Sequence, residues 1–137
     1  RIESALQKAD EEARISLLIA LGRLDGASAL RVGRAHLSDP SPKVRPIAAH
    51  TLGLGSRLLR KSDPDTEREG RLELEALLKQ ARTENEIRAA LWALAQLDQP
   101  EAYAVLRQVA HEDARDVARR YAARYLKSPR QSLILRR

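Results

Sequence analysis

Two arginines, three histidines, one tryptophan and several paired acids are the residues of this chain to which chemistry could attach. Arg45 and Arg88 each follow a β-branched residue, Val44 and Ile87, inside an apolar stretch, where a guanidinium could hold an anion by charge-assisted hydrogen bonds. Glu84 precedes Arg88 by four residues, the spacing of a helical ion pair worth about 0.3 to 0.5 kcal/mol. His36, His50 and His111 are scattered, with neither a His-x-x-x-His pair nor a His-Glu-x-x-His motif, so their spacing supplies no metal ligand set. The acids at Glu11-Glu12, Glu73 and Glu75, and Glu84 and Glu86 have the distribution of solvated helix faces and first turns. Gly53-Leu54-Gly55 stops short of a phosphate loop and follows a helical pattern where a nucleotide fingerprint would follow a strand. The chain has no cysteine, which excludes a thiol nucleophile, a disulfide framework and a Cys-ligated zinc. No nucleophile, base and orienting group come together, so the reading is a non-enzyme with no catalytic residue, no cofactor and no metal.

What must position these residues is helical. Ile2, Leu6, Ala9, Ala13, Leu17 and Leu21 recur at steps of three and four, which makes one apolar stripe on a helix. No alternating Val, Ile and Thr stretch signals a strand. Breaks fall at Asp25-Gly26, at Asp39-Pro40-Ser41-Pro42, at Gly53 to Gly55, across residues 61–65, at Asp98-Gln99-Pro100 and at Ser128-Pro129. First helices are expected at 27–37, 67–81 and 101–110, and second helices at 42–52, 84–96 and 114–126, with residues 1–23 forming an opening pair or one long helix. Gly22 and Gly53 read as helix ends that tolerate positive φ. Ala48 and Ala49 read as small residues that admit a neighbouring helix.

The chain repeats itself. Leu24-Asp25, Ala29, Val32, Asp39, Val44, Ala49 and Leu52 fall, 73 residues later and without a gap, on Leu97-Asp98, Ala102, Val105, Glu112, Val117, Ala122 and Tyr125. Further copies of the second half lie at residues 84–97 and 10–22, which aligns Arg14, Arg45 and Arg88 at spacings of 31 and 43. The longer interval coincides with a polar stretch at residues 56–67, read as an inter-helix insertion. Trp92 aligns with Ala49 and reads as a packed core side chain.

The segment Asp39-Pro-Ser-Pro-Lys-Val-Arg-Pro-Ile-Ala-Ala-His-Thr-Leu-Gly53 resembles the second-helix signature of HEAT repeats, especially the short HEAT-like repeats of the phycobilin-lyase type. The signature residues are Asp39, Val44, Arg45, Ala48, Ala49, Leu52 and Gly53, with Ile87 and Arg88 in the second copy; the last copy lacks an arginine directly after Val117. The resemblance implies an all-α fold, an α-solenoid of about four stacked antiparallel helix pairs, in which the signature arginine pairs with a turn acid such as Asp39. It also implies a concave face, lined by second helices, that takes a partner polypeptide.

Charge adds a second candidate surface. The chain carries +6, but residues 115–137 alone carry +7 and the remainder −1. On a helix through this end, Val117, Tyr121 and Tyr125 turn to the core, Arg120, Arg124 and Lys127 project together, and Arg119 lies at the border. Arg119, Arg120, Arg124, Lys127 and Arg130 are therefore the candidate partner-binding residues, with an acidic protein surface as the expected partner. Nucleic acid, gripped through its phosphates as in HEAT-like glycosylases, ranks second. A neutral body and an aromatic content of only 3% leave little for bases to stack on. A chaperone like the bilin lyases is the third reading. No apolar run approaches a membrane span, and no signal peptide is visible, which reads as cytoplasmic. The single domain, residues 1–137, begins at Arg1 without any Met and reads as excised from a larger protein. It ends in a basic tail at 128–137, where residues 132–137 look like the opening of another helix or a strand.

Overall fold

The computed structural model describes residues 2–59 and 64–135, with side chains from residue 10 onward. All regular structure among the described residues is helical: α1 (Ile2–Leu24), α2 (Gly26–His36), α3 (Val44–Leu58), α4 (Pro64–Gln80), α5 (Glu84–Leu97), α6 (Pro100–Glu112) and α7 (Asp116–Lys127). The fold is all-α.

Local chemistry sets three of the starts. Asp25 caps α2 by accepting from the Ala27 amide, and Thr83 caps α5 by accepting from the Glu86 amide. Pro100 occupies the first turn of α6, where its missing N–H is not needed. Asp98 closes α5 in the left-handed conformation, at φ 53°, with its carboxylate accepting from Tyr103 Oη at 2.7 Å.

The helices form a row and its partners. α1 packs on α3, α3 on α5 and α5 on α7, while α2 covers α3, α4 covers α5 and α6 covers α7. Every residue of α5 from Glu86 to Gln96 is buried. Thr51 Oγ1 ties α3 to α1 by donating to the Leu18 carbonyl at 2.9 Å. Ion pairs join the covering helices: Arg34 of α2 reaches Glu69 and Glu73 of α4, and Arg71 of α4 reaches Glu101 of α6.

Several expectations need correcting. α1 is one helix, but its buried face holds Leu18 and Gly22, while Ala13 and Leu17 of the expected stripe are exposed. The stripe is turned by one residue because Gly22 admits Leu54 of α3, whose Cδ1 lies 3.1 Å from where a Cβ would stand. The side chains of Ile2, Leu6 and Ala9 lie outside the described residues. Gly22 and Gly53 end no helix, and no glycine has positive φ. Close approach is what these positions require. Gly53 lies mid-α3 against Trp92, whose Cζ3 would stand 2.6 Å from an added Cβ. The 56–67 stretch shrinks accordingly, since α3 runs on to Leu58 and α4 begins at Pro64; residues 60–63 lie outside the described residues. Ala48 and Ala49 are buried as expected, yet the α2–α3 approach relies equally on Gly26, Gly33 and Gly55.

The repeat also shifts register. At the start of α3, the Ser41 amide donates to Asp39 Oδ1 at 2.9 Å and Arg45 donates to the Asp39 carbonyl at 2.8 Å. At the start of α7, the Arg115 amide donates to Asp113 Oδ1 at 2.9 Å and Arg119 donates to the Asp113 carbonyl at 2.7 Å. The two sets correspond at a spacing of 74, one more than the ungapped alignment. Ala118, not Val117, is therefore the buried counterpart of Val44, and Val117 is half-buried. The counterpart of Arg45 at the last helix is Arg119. The aligned arginines then stand at 14, 45, 88 and 119, with spacings of 31, 43 and 31.

Candidate interaction surfaces

The aligned arginines are turned to structure, with one exception. Arg14 forms a two-pronged pair with Asp39, at 2.9 and 3.2 Å, joining α1 to the start of α3. Arg45 donates to the Asp39 and Pro40 carbonyls and to Glu86 Oε1 at 3.1 Å, joining α3 to the first turn of α5. Glu86 is only 2% exposed, so it is not the solvated first-turn acid that its spacing suggested. Nothing in the local sequence separates it from Glu84; burial by α3 does. Neither Arg14 nor Arg45 is left to hold an anion.

Arg88 departs from this pattern because its partners are missing or taken. Arg45 and Arg119 each bond the carbonyl of an aspartate six residues earlier whose carboxylate fixes the turn by accepting from the amide two residues on; six residues before Arg88 stands Arg82, which has no carboxylate to do so. Asp113, the acid at the start of the next helix in the row, is held by Arg115 at 2.9 Å, and that guanidinium keeps the Asp113 carboxyl below the usual carboxylate range. Arg88 instead donates one Nη to the Tyr121 hydroxyl and the other to the Ile134 carbonyl, and its guanidinium stacks 4.2 Å over the Tyr121 ring. The Tyr121 hydroxyl in turn donates to Glu84 Oε1 at 2.7 Å.

The Ile134 carbonyl belongs to the segment after α7. A turn at Pro129-Arg130 reverses the chain, and residues 131–135 run without regular structure along α5. This segment is neither the helix nor the strand that its composition suggested; residues 136 and 137 lie outside the described residues. Trp92 Nε1 donates to the Gln131 carbonyl at 2.6 Å, and Gln96 Nε2 donates to the Pro129 carbonyl at 2.6 Å. Leu133 and Leu135 pack against the core, whereas Ile134 is 72% exposed. Trp92 is 1% exposed, as its alignment with Ala49 implied, and its ring lies 4.9 Å from that of His50. Burial lowers the pKa of His50.

The basic end is thinner than its charge count. Arg115 donates to the Leu78 and Ala81 carbonyls and so closes the end of α4. Arg119 is half-buried on the Asp113 carbonyl and Asp116. Arg120 is exposed and pairs with Asp116 at 2.9 Å. Arg124 leans on the Tyr121 ring at 5.3 Å, and Lys127 and Arg130 are exposed. Arg120, Arg124 and Lys127 do share one side of α7. Arg130 stands apart, on the turn, at the rim of a 520 Å³ groove that also touches Arg57, Gln99 and Tyr103. Tyr103 in that groove has its phenol pushed up to about 12 by burial and by Asp98.

Among the described residues no group of three or more His, Cys, Asp or Glu could hold a metal ion, and no helix is long and apolar enough to cross a membrane. No family model matches the chain, and neither a curated protein nor a solved structure matches it significantly.

Proposed function

We propose that the chain is a non-catalytic protein-interaction module, built as a HEAT-like α-solenoid of stacked helix pairs, that captures an acidic polypeptide surface at its basic end. The architectural part is supported by the ion pairs from Arg14 to Asp39 and from Arg45 to Glu86, which stitch α1 to α3 and α3 to α5 in the same sense. Matching turn geometry before α3 and α7 supports it too. Such stacking is how helix pairs too small to bury their own faces become a continuous core.

The observation that carries the binding part is the cationic side of α7. Arg124 and Lys127 make no ion pair among the described residues, Arg120 shares an exposed acid, and all three face solvent. A field of this kind is screened over about 8 Å at physiological salt, so it raises association rate more than affinity.

The test uses the full chain against polyglutamate and against a DNA duplex, at low and physiological salt. The proposal expects faster association with polyglutamate, and a drop of about tenfold in R120E/R124E/K127E with unchanged melting temperature. An unchanged rate in that variant would leave this face a solubilising cap. Preference for the duplex with a steep salt slope would move the assignment to nucleic acid.

A further inference from the structure

Three side chains of α5 read the main chain of residues 128–135. Gln96, Trp92 and Arg88 are spaced four apart, about 6 Å per step along a helix, and they donate to the carbonyls of residues 129, 131 and 134 in turn. An extended chain advances about 3.3 Å per residue, so two of its residues match one step of the donor row; the long Arg88 side chain spans the third. Because helix numbers fall as segment numbers rise, the segment runs antiparallel to α5. Main-chain carbonyls exist in every polypeptide, so these three bonds do not depend on the sequence that lies there. Selectivity comes from the alternation beyond them: Leu133 and Leu135 face the core and Ile134 faces water.

The segment is mostly exposed, whereas what it covers is buried. Ser128, Arg130, Gln131, Ser132 and Ile134 are exposed, while Trp92, Gln96 and Arg88 beneath are buried. Arg88 Nε has no hydrogen-bond partner among the described residues, so the donor row retains unused capacity. Buried donors of this kind need an acceptor whatever its source.

We propose that the α5 face formed by Arg88, Trp92 and Gln96 is a docking site for an extended polypeptide, and that residues 128–135 are its intramolecular occupant. The partner segment is one with a free run of main-chain carbonyls followed by apolar residues at alternate positions, as in Leu133-x-Leu135. The inference rests on reading the chain as a polypeptide-binding module and gives that module a second site and a built-in competitor. A site filled part of the time by its own chain binds in proportion to the fraction open, so loosening the occupant raises apparent affinity.

The test is fluorescence anisotropy of a labelled peptide Ser-Pro-Arg-Gln-Ser-Leu-Ile-Leu, the sequence of residues 128–135, with the full chain. Leu133→Asp with Leu135→Asp removes both anchors of the occupant and leaves α5 intact; Leu135→Ser is the milder companion. The opened chain should bind the peptide about tenfold tighter than the parent, and L135S by an intermediate factor. Adding Trp92→Phe, which keeps a ring but removes the Nε1 donor, should then weaken peptide binding about fivefold. Equal affinity of parent and both opened chains, or no binding to an L135S chain of parental helix content, overturns the proposal. R120E/R124E/K127E is measured beside them. If it binds peptide normally when its acidic partner is lost, the two sites are separate. If peptide fails while polyglutamate binding persists, only the α5 site is refuted.

Discussion

Adding one methyl group at Gly53 should destabilise the fold, although alanine is the better helix former. An alanine Cβ there would stand 2.6 Å from Trp92 Cζ3, 3.1 Å from Cε3 and 3.2 Å from the Ala93 Cα. Carbon contacts are comfortable at about 3.5 to 4.0 Å, so the ring must retreat by roughly 1 Å. It has little room, being tied through Nε1 to the Gln131 carbonyl at 2.6 Å and set against His50. Overpacking of this kind costs about 1 to 3 kcal/mol, and straining the Trp92 hydrogen bond adds about 1 kcal/mol. Against that stands a helix-propensity gain of about 1 kcal/mol. The balance is a loss of about 1 to 3 kcal/mol, or a melting temperature lower by roughly 3 to 10 °C at this chain length. Circular dichroism follows the helices while fluorescence follows Trp92, the only tryptophan. Gly70, in α4, is the control: nothing lies within 4 Å of its added Cβ, so Gly70→Ala should stabilise by about 0.5 to 1 kcal/mol. A Gly53→Ala chain as stable as the parent would refute the claim that Gly53 exists to seat Trp92.

Ala49→Leu should overpack the buried contact of α3 with its neighbours and lose about 1 to 3 kcal/mol in urea denaturation. Arg45→Ala should lose about 2 to 3 kcal/mol by leaving the buried Glu86 carboxylate unpaired, and Glu86→Gln in that background should recover part of it; no recovery would place the loss in the carbonyl bonds of Arg45 instead. Because burial lowers the pKa of His50, the unfolded chain takes up that proton first, and stability should fall as pH drops below about 6.5; His50→Gln should flatten this slope. At the alkaline end Tyr125 is pushed up to about 12 by burial, so stability should fall between pH 10 and 12, and less so in Tyr125→Phe.

Much of the helix punctuation was legible because it is local: Asp25 and Pro100 act on the turn beside them. Trp92 was legible as core from the internal alignment alone. What the sequence concealed depends on neighbours distant along the chain. An ungapped alignment cannot place the one-residue shift before α7, since Val117 and Ala118 are both apolar; only the paired bonds to Asp39 and Asp113 fix it. Gly22 and Gly53 have the signature of helix ends, yet their need is set by Leu54 and Trp92. Glu84 and Glu86 differ in sequence by nothing that marks one as buried. The residues of the basic end were found, but Arg115 and Arg119 are held by α4 and by the Asp113 turn, which composition cannot register. Gln96 and Gln131 carried no signal at all, because each is ordinary until the chain reverses at Pro129.

The course of synthesis gives the segment over α5 a further consequence. Ile134 follows Gln96 by 38 residues. At about 5 to 20 residues per second, roughly 2 to 8 s separate the making of the donors from the making of their last acceptor. The earlier helices can assemble as they emerge, since Arg14, Thr51 and Arg45 find partners within their immediate neighbours in the row. During that interval the nascent chain carries the helices up to α5 while α6 and α7 are still being made, and Arg88, Trp92 and Gln96 have no segment to bond. A folding helper or an early-bound partner would meet this face open, before residues 128–135 exist to compete for it.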